Sequence, residues 1–291
     1  MLSVLNVTGD RTHCGHMGHV VRDFKTMCKL AHKFKFDGVN LNLQTKDKFS
    51  LRDKKACLAD HNLLPIAFGF TPEIFNPDER VYKDSLKKFK SEVEDAHILG
   101  CNTCLAYLPP FSNDLNFNDK FRLVSKRLQE LKPFLAENKL KVGFEFIGPT
   151  ETRRETPHDF IHTIDGTRAL IASADLYGIA GCKLDVHHWQ YSGATLLDIK
   201  HMDLNYILYV ELNDSLKGHS LDTIPEFERE LPFATGGTDL TGFLQALSAK
   251  GYKGPVAVEP WNTVVNAMPL EQAVEAIKKA LDRAIYSHKG A

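Results

Sequence analysis

Four acidic side chains, Glu145, Asp185, Glu211 and Glu259, each sit near the C-terminal end of a short apolar run. The runs are Lys141-Val142-Gly143-Phe144-Glu145-Phe146-Ile147, Gly181-Cys182-Lys183-Leu184-Asp185-Val186, Tyr206-Ile207-Leu208-Tyr209-Val210-Glu211-Leu212 and Gly254-Pro255-Val256-Ala257-Val258-Glu259. A charge on a buried strand must be paired, protonated or bound to a cation. One such acid is ordinarily structural, but four in the same relative position point to a metal or acid–base site. Clustered carboxylates repel one another and need a cation or shared protons. An all-oxygen donor set selects a hard divalent ion, Mn²⁺ or Mg²⁺, over a zinc site built from Cys and His. Such an ion polarises a carbonyl and a neighbouring hydroxyl, so a flanking carboxylate can act as base on the acidified α-hydrogen.

Four acids reach one point only if their strands are neighbours, and the chain rhythm supplies that. Strands are expected at 3–7, 37–43, 64–70 and 103–108, then around each of the four acids. Helices are expected at 19–36, 51–61, 78–99, 119–137, 167–177, 194–199, 240–250 and 270–287, from apolar periodicity and from stops such as Gly100. Eight strand-then-helix units imply parallel pairing, and the length of 291 residues suits one closed (β/α)₈ TIM barrel spanning residues 1–291 as a single α/β domain. An open doubly wound sheet would carry a GxGxxG or GxxxxGK[ST] loop after a strand, and none follows any strand here. Active sites of such barrels lie at the C-terminal strand ends, where the acids of the fifth to eighth strands fall.

Composition removes competing classes. A net charge of −1 argues against a nucleic-acid binder working through a basic surface, and no apolar run approaches the ~18 residues of a membrane span. Six cysteines at 14, 28, 57, 101, 104 and 182, with only the single Cys101-Asn102-Thr103-Cys104 pair, read as reduced core thiols, and a cytoplasmic location is expected. The loop carrying His13, His16 and His19 reads as a solvated loop or a pocket wall in preference to a metal-ligand set, and Arg153-Arg154 as solvated loop charges.

Glu145-Phe146-Ile147-Gly148-Pro149, Leu184-Asp185-Val186-His187-His188-Trp189, Tyr191-Ser192-Gly193, Val210-Glu211-Leu212-Asn213-Asp214, Glu230-Leu231-Pro232 and Gly254 to Pro260 together resemble the xylose isomerase-like barrels. That superfamily of sugar-phosphate isomerases and epimerases includes ketose 3-epimerases and inosose dehydratases. The resemblance implies a divalent-metal-dependent isomerase or epimerase acting on a sugar or cyclitol ketone through an enediolate. A lyase using the same enolate and a catalytically silent sugar-binding barrel are the alternatives, and the apurinic endonucleases of this fold are disfavoured by charge. Glu145 and Glu259 would be the proton-transferring pair and also metal ligands, with Asp185 a further ligand. Glu151, His188 and Arg229 would hold sugar oxygens, and Trp189 and Trp261 would face the sugar's C–H edge. The expected partner is a small carbohydrate, with no nucleic acid or membrane, and a homo-oligomer is compatible with the sequence.

Glu211 departs from the pattern, since such barrels usually carry histidine there. Strand residues two apart share a face, so an inward Asp185 brings Lys183 inward as well. Lys183 is therefore expected within ~6 Å of Glu211 or Glu145, the range over which opposite charges couple appreciably. Glu211 then either remains a metal ligand with Lys183 behind it, or leaves the metal to pair with Lys183. A β-bulge turning Lys183 outward is the competing geometry.

Overall fold

The computed structural model describes residues 1–5, 23–43, 49–225 and 228–286, so His13, His16 and His19 lie outside the described residues. Eight parallel strands close a barrel: β1 (Leu2–Leu5), β2 (Gly38–Leu41), β3 (Leu64–Gly69), β4 (Thr103–Leu108), β5 (Lys141–Phe146), β6 (Ala180–Asp185), β7 (Ile207–Leu212) and β8 (Pro255–Val258). Each pairs with its neighbours in chain order, and β8 closes on β1 through Leu2↔Pro255 and Ser3↔Val256.

The helices form where the periodicity placed them, with local capping setting their ends. These are α1 (Phe24–Lys33), α2 (Leu51–Asp60), α3 (Glu79–Leu99), α4 (Phe117–Glu137), α5 (Ile164–Ser173), α6 (Val186–Tyr191), α7 (Leu196–His201), α8 (Leu240–Ala249), α9 (Thr263–Ala267) and α10 (Leu270–Tyr286). Asp78 accepts the Arg80 amide at 2.7 Å to start α3, and Gly100, at φ +89°, ends it in the left-handed region. α5 begins earlier than the expected 167, because Thr163 Oγ1 accepts the Gly166 amide at 3.1 Å and so recruits the Ile164-Asp165-Gly166 stretch into the first turn. α6 and α9 were not expected; α6 starts directly at the end of β6, with Asp185 serving as last strand residue and N-cap at once.

The main core lies between sheet and helices, while a small second core of Val4, Ala67, Tyr209 and Ala257, with Ile66 and Leu105, plugs the barrel interior. Tyr209 fills this floor opposite two alanines and accepts a hydrogen bond from Asn40 Nδ2 at 2.9 Å. The layer above the plug, towards the strand C-termini, is where the polar residues begin.

Gly148 joins the two acid-bearing strands β5 and β6 at this mouth. A Cβ there would run into the backbone carbonyl oxygen of His188 and lie 2.7 Å from the Ser192 nitrogen. Both are main-chain atoms of the α6 turn, so neither can swing aside. Gly148→Ala is expected to lower unfolding free energy by about 1–3 kcal/mol, the usual cost of overpacking, measured by urea denaturation. A change below ~0.5 kcal/mol, the scale of ordinary surface substitutions, would show that α6 yields at no cost.

Candidate active site

All four acids project from strand ends into one cluster. Ligand oxygens of Glu145, Asp185, Glu211 and Glu259 lie within 4.8 Å of one another, and Glu145, Asp185 and His188 form an overlapping set. The register explains the convergence, since Asp185 pairs with Glu211 and Ala257 pairs with Glu211, leaving Glu259 just beyond β8 at the mouth. Burial grades accordingly, from 0% for the Asp185 and Glu211 side chains to 11% for Glu145 and 24% for Glu259.

Among the described residues, two cations are built in among the acids. Lys183 Nζ lies 2.7 Å from Glu211 Oε2 and donates to Glu145 Oε2 at 2.9 Å. This is the inward geometry expected from strand parity. The sheet does contain an irregularity here, but the extra residue is Leu208 on β7, between the pairs Cys182↔Ile207 and Lys183↔Tyr209, so Lys183 keeps its direction. Arg229, on a two-residue strand paired with Asp214-Ser215, donates to Glu259 Oε2 at 2.8 Å and approaches Asp185 Oδ2 at 3.4 Å. It is 2% exposed, and its guanidinium lies 5.8 Å from the centre of the Trp261 ring.

Asp185 is held in one orientation. It accepts the His187 amide at 2.7 Å and, from Asn213 Nδ2, bonds of 3.2 Å to each oxygen. Such outer hydrogen bonds fix a ligand's direction. Glu145 is different: Oε2 is taken by Lys183, while the buried Oε1 accepts no hydrogen bond among the described residues. His188 Nε2 lies 3.8 Å from that oxygen. Burial, reinforced by the Arg229 charge, pushes both His187 and His188 well below the usual imidazole range, so His188 faces Glu145 as a neutral ring.

Electrostatics separates the acids. Burial raises Glu145 to about 7, with the Lys183 charge opposing and the Glu259 and Asp185 charges adding. Burial likewise raises Asp185 and, more strongly, Glu211. Glu259 is also penalised by burial, but the Lys183 and Arg229 charges outweigh this and hold it below the usual carboxylate range. Lys183 is kept an ammonium by Glu145, Glu211 and Glu259 in spite of its burial.

These observations bear on a cation. With all four carboxylates ionised, the one ammonium and one guanidinium among the described residues would leave two negative charges uncompensated. The raised acids, the free Glu145 Oε1 and the all-oxygen donors fit one hard divalent ion, which could be held by Glu145, Asp185 and Glu259 with Glu211 alongside.

The structure gathers most of the expected site residues but not all. His188, Arg229 and Trp261 stand around the acids. Trp189 does not: it is 4% exposed, its ring packs on Phe243 of α8 with centroids 5.1 Å apart, and its Nε1 donates to the Thr195 carbonyl. The expectation that Trp189 faces a sugar is thus corrected, because α6 rolls it into the helix layer. Glu151 is exposed in the 3₁₀ turn Thr150–Arg153 above β5. Arg153 is half-buried and donates to the Gly148 and Pro149 carbonyls, while Arg154 is exposed, as expected of a solvated loop charge, and also donates to the Asp222 carbonyl. Sequence reasoning missed Asn213 and Tyr107. Tyr107 pairs in register with Glu145 and shares the face of the inward Leu105, yet is 51% exposed, which puts it at the barrel mouth. Its position two residues beyond Leu105 was the available signal.

Comparisons with known proteins agree with this architecture. A family model for the xylose isomerase-like TIM barrel matches residues 28–284. The inosose isomerase of Halalkalibacterium halodurans is 22% identical over 283 residues, 97% of this chain and 93% of the relative. Among solved structures, the IOLI protein with a binding zinc atom aligns over 100% of both chains at 18% identity and a TM-score of 0.82. D-psicose 3-epimerase in the presence of D-fructose aligns over 98% of this chain and 99% of that chain at 14% identity and a TM-score of 0.76.

Removing one built-in cation should expose how heavily the cluster depends on it. Arg229→Met leaves Asp185 and Glu259 without their guanidinium and is expected to cost about 3–5 kcal/mol, the scale for breaking a buried ion pair, in urea denaturation with chelator present. A loss below ~1 kcal/mol would mean that Arg229 does not compensate these acids.

Proposed function

The chain belongs to the xylose isomerase-like TIM barrel family, and from that premise we propose that it is a divalent-metal-dependent isomerase or epimerase of a sugar or cyclitol ketone. The observation that carries the reading is the pair Glu145 and Glu259, drawn from strands three apart in the barrel into one cluster yet pushed in opposite pKa directions. Two carboxyl groups whose environments split their acidities are the usual signature of an acid–base couple. The inosose isomerase and ketose epimerase relatives support the substrate class.

In this reading a bound Mn²⁺ or Mg²⁺ would supply positive charge to a carbonyl oxygen and its neighbouring hydroxyl, acidifying the carbon-bound hydrogen between them. Glu259, kept a carboxylate by Lys183 and Arg229, removes that hydrogen. Glu145, with its acidity near neutrality and its Oε1 uncommitted, returns a proton to the opposite face. His188, Arg229 and Trp261 hold sugar oxygens and the C–H edge, Tyr107 bounds the mouth, and Glu151 contributes from the rim. The five described cysteines are free and buried, in keeping with a reducing, cytoplasmic setting. No described helix is long and apolar enough to cross a membrane.

A partly protonated Glu145 also suits expulsion of a β-hydroxyl, so a dehydratase using the same enolate is the second reading. Ketoses and inososes incubated with the Mn²⁺-supplemented protein in D₂O separate the outcomes. The epimerase reading expects deuterium at the α-carbon with no change in composition, whereas loss of water with a new conjugated-carbonyl absorbance would favour the dehydratase. Glu145→Gln and Glu259→Gln should each slow exchange by ~10²–10⁴-fold, with metal occupancy measured in the same samples. Near-native exchange at full occupancy in either variant would overturn the assignment, and no exchange with any ketone would leave a silent sugar-binding barrel.

A further inference from the structure

Lys183 and Glu211 are the two residues at the bottom of the acid cluster, and their placement bears on how many protein ligands an ion would meet. Building on the metal reading above, we infer that Lys183 withholds Glu211 from the metal, so that the ion is held by three carboxylates, Glu145, Asp185 and Glu259, and not four.

Geometry supports this in three ways. First, the Lys183 contact to Glu211, at 2.7 Å, is the shorter of its two carboxylate contacts. Of the two carboxylates that Lys183 contacts, Glu211 is the more deeply enclosed, at 0% exposure against 11% for Glu145, so an ion entering from the mouth meets Glu145 first and the ammonium lies below it beside Glu211. Second, with the acids ionised, the charges of the described residues divide into two neutral sets. Lys183 and Glu211 form one; Glu145, Asp185, Glu259, Arg229 and a divalent ion form the other. Third, Lys183 takes Glu145 Oε2 and leaves Oε1 without a hydrogen bond among the described residues, 3.8 Å from His188 Nε2.

Lys183 is thus a positioning residue. It neutralises Glu211 below the reacting atoms. Three protein oxygens would leave about half of a six-coordinate shell, common for hard divalent ions, to water or to two substrate oxygens. A fourth carboxylate would close one of those positions and add a charge to the site.

The test is Mn²⁺ affinity, read by electron paramagnetic resonance of free Mn²⁺, which does not depend on turnover. Lys183→Met/Glu211→Met removes the pair with no change in net charge. Replacing a buried ion pair by apolar side chains of similar size is often neutral for stability, so this protein is expected to fold. Its Kd for Mn²⁺ should stay within about threefold of wild type, whereas a weakening of tenfold or more would make Glu211 a ligand and overturn the inference. Lys183→Met alone should bind Mn²⁺ at least tenfold more tightly, because it frees Glu211 to join the ion; unchanged or weaker binding in a folded variant would also overturn it. Wild-type protein that takes up no Mn²⁺ defeats the metal reading and this inference together. Wild-type binding combined with the wrong ranking of variants defeats the inference alone.

Discussion

Carboxylates gathered out of water repel one another, and the C-terminal mouth of this barrel is built around that repulsion. Four acids converge from consecutive strands, and each would be costly alone. The structure answers with Lys183 from below and Arg229 from the side, which together cover half of the charge. With the acids ionised, a deficit of two remains among the described residues, and burial together with the neighbouring carboxylate charges raises the pKa values of Glu145, Asp185 and Glu211. A deficit of that size is an affinity for a dication or for protons, and either makes the mouth chemically active. The same deficit separates Glu145 from Glu259, because Arg229 reaches only one of them.

The rest of the fold can be seen as support for these positions. Parallel strands put one acid per strand at the same end, with Asp185 paired to Glu211 beyond the irregularity in β7. Small side chains around Tyr209 let the barrel floor fill without lifting the polar layer. Asp185 caps α6 while Asn213 braces its two oxygens, so an acid that might have been only a helix cap is also aimed into the cluster. Gly148 lets the loop after β5 lie against the α6 backbone, which brings His188 beside Glu145. Loops above the mouth are tied to each other through Arg153, Arg154 and Asp222.

Much of this was legible in the sequence, for stated physical reasons. Apolar runs bounded by Gly and Pro marked the strands, and one acid per run marked the site. Parity alone placed Lys183 inside the barrel, since a side chain two residues from Asp185 shares its face. Other features were hidden by their dependence on tertiary structure. Arg229 was reached through the family resemblance, but its burial and its pairing with Asp185 and Glu259 were not, because it sits on a strand of only two residues in a long polar loop that leaves no periodic trace. Trp189 read as a sugar platform because aromatic residues near an acid suggest one, whereas the roll of a six-residue helix sent it to Phe243. The early start of α5 was masked by a glycine in its first turn, and the extra residue in β7 has no sequence mark among its apolar neighbours.

The most direct measurement is an anomalous difference map from crystals grown with Mn²⁺, collected above and below the manganese edge. The expected result is a single strong peak at the strand C-termini, between the carboxylates of Glu145, Asp185 and Glu259, with the Lys183 ammonium remaining on Glu211. Full-occupancy protein crystals with no peak at this mouth, or with manganese bound only elsewhere, would contradict the claim that the charge deficit of the four acids is met by a divalent ion.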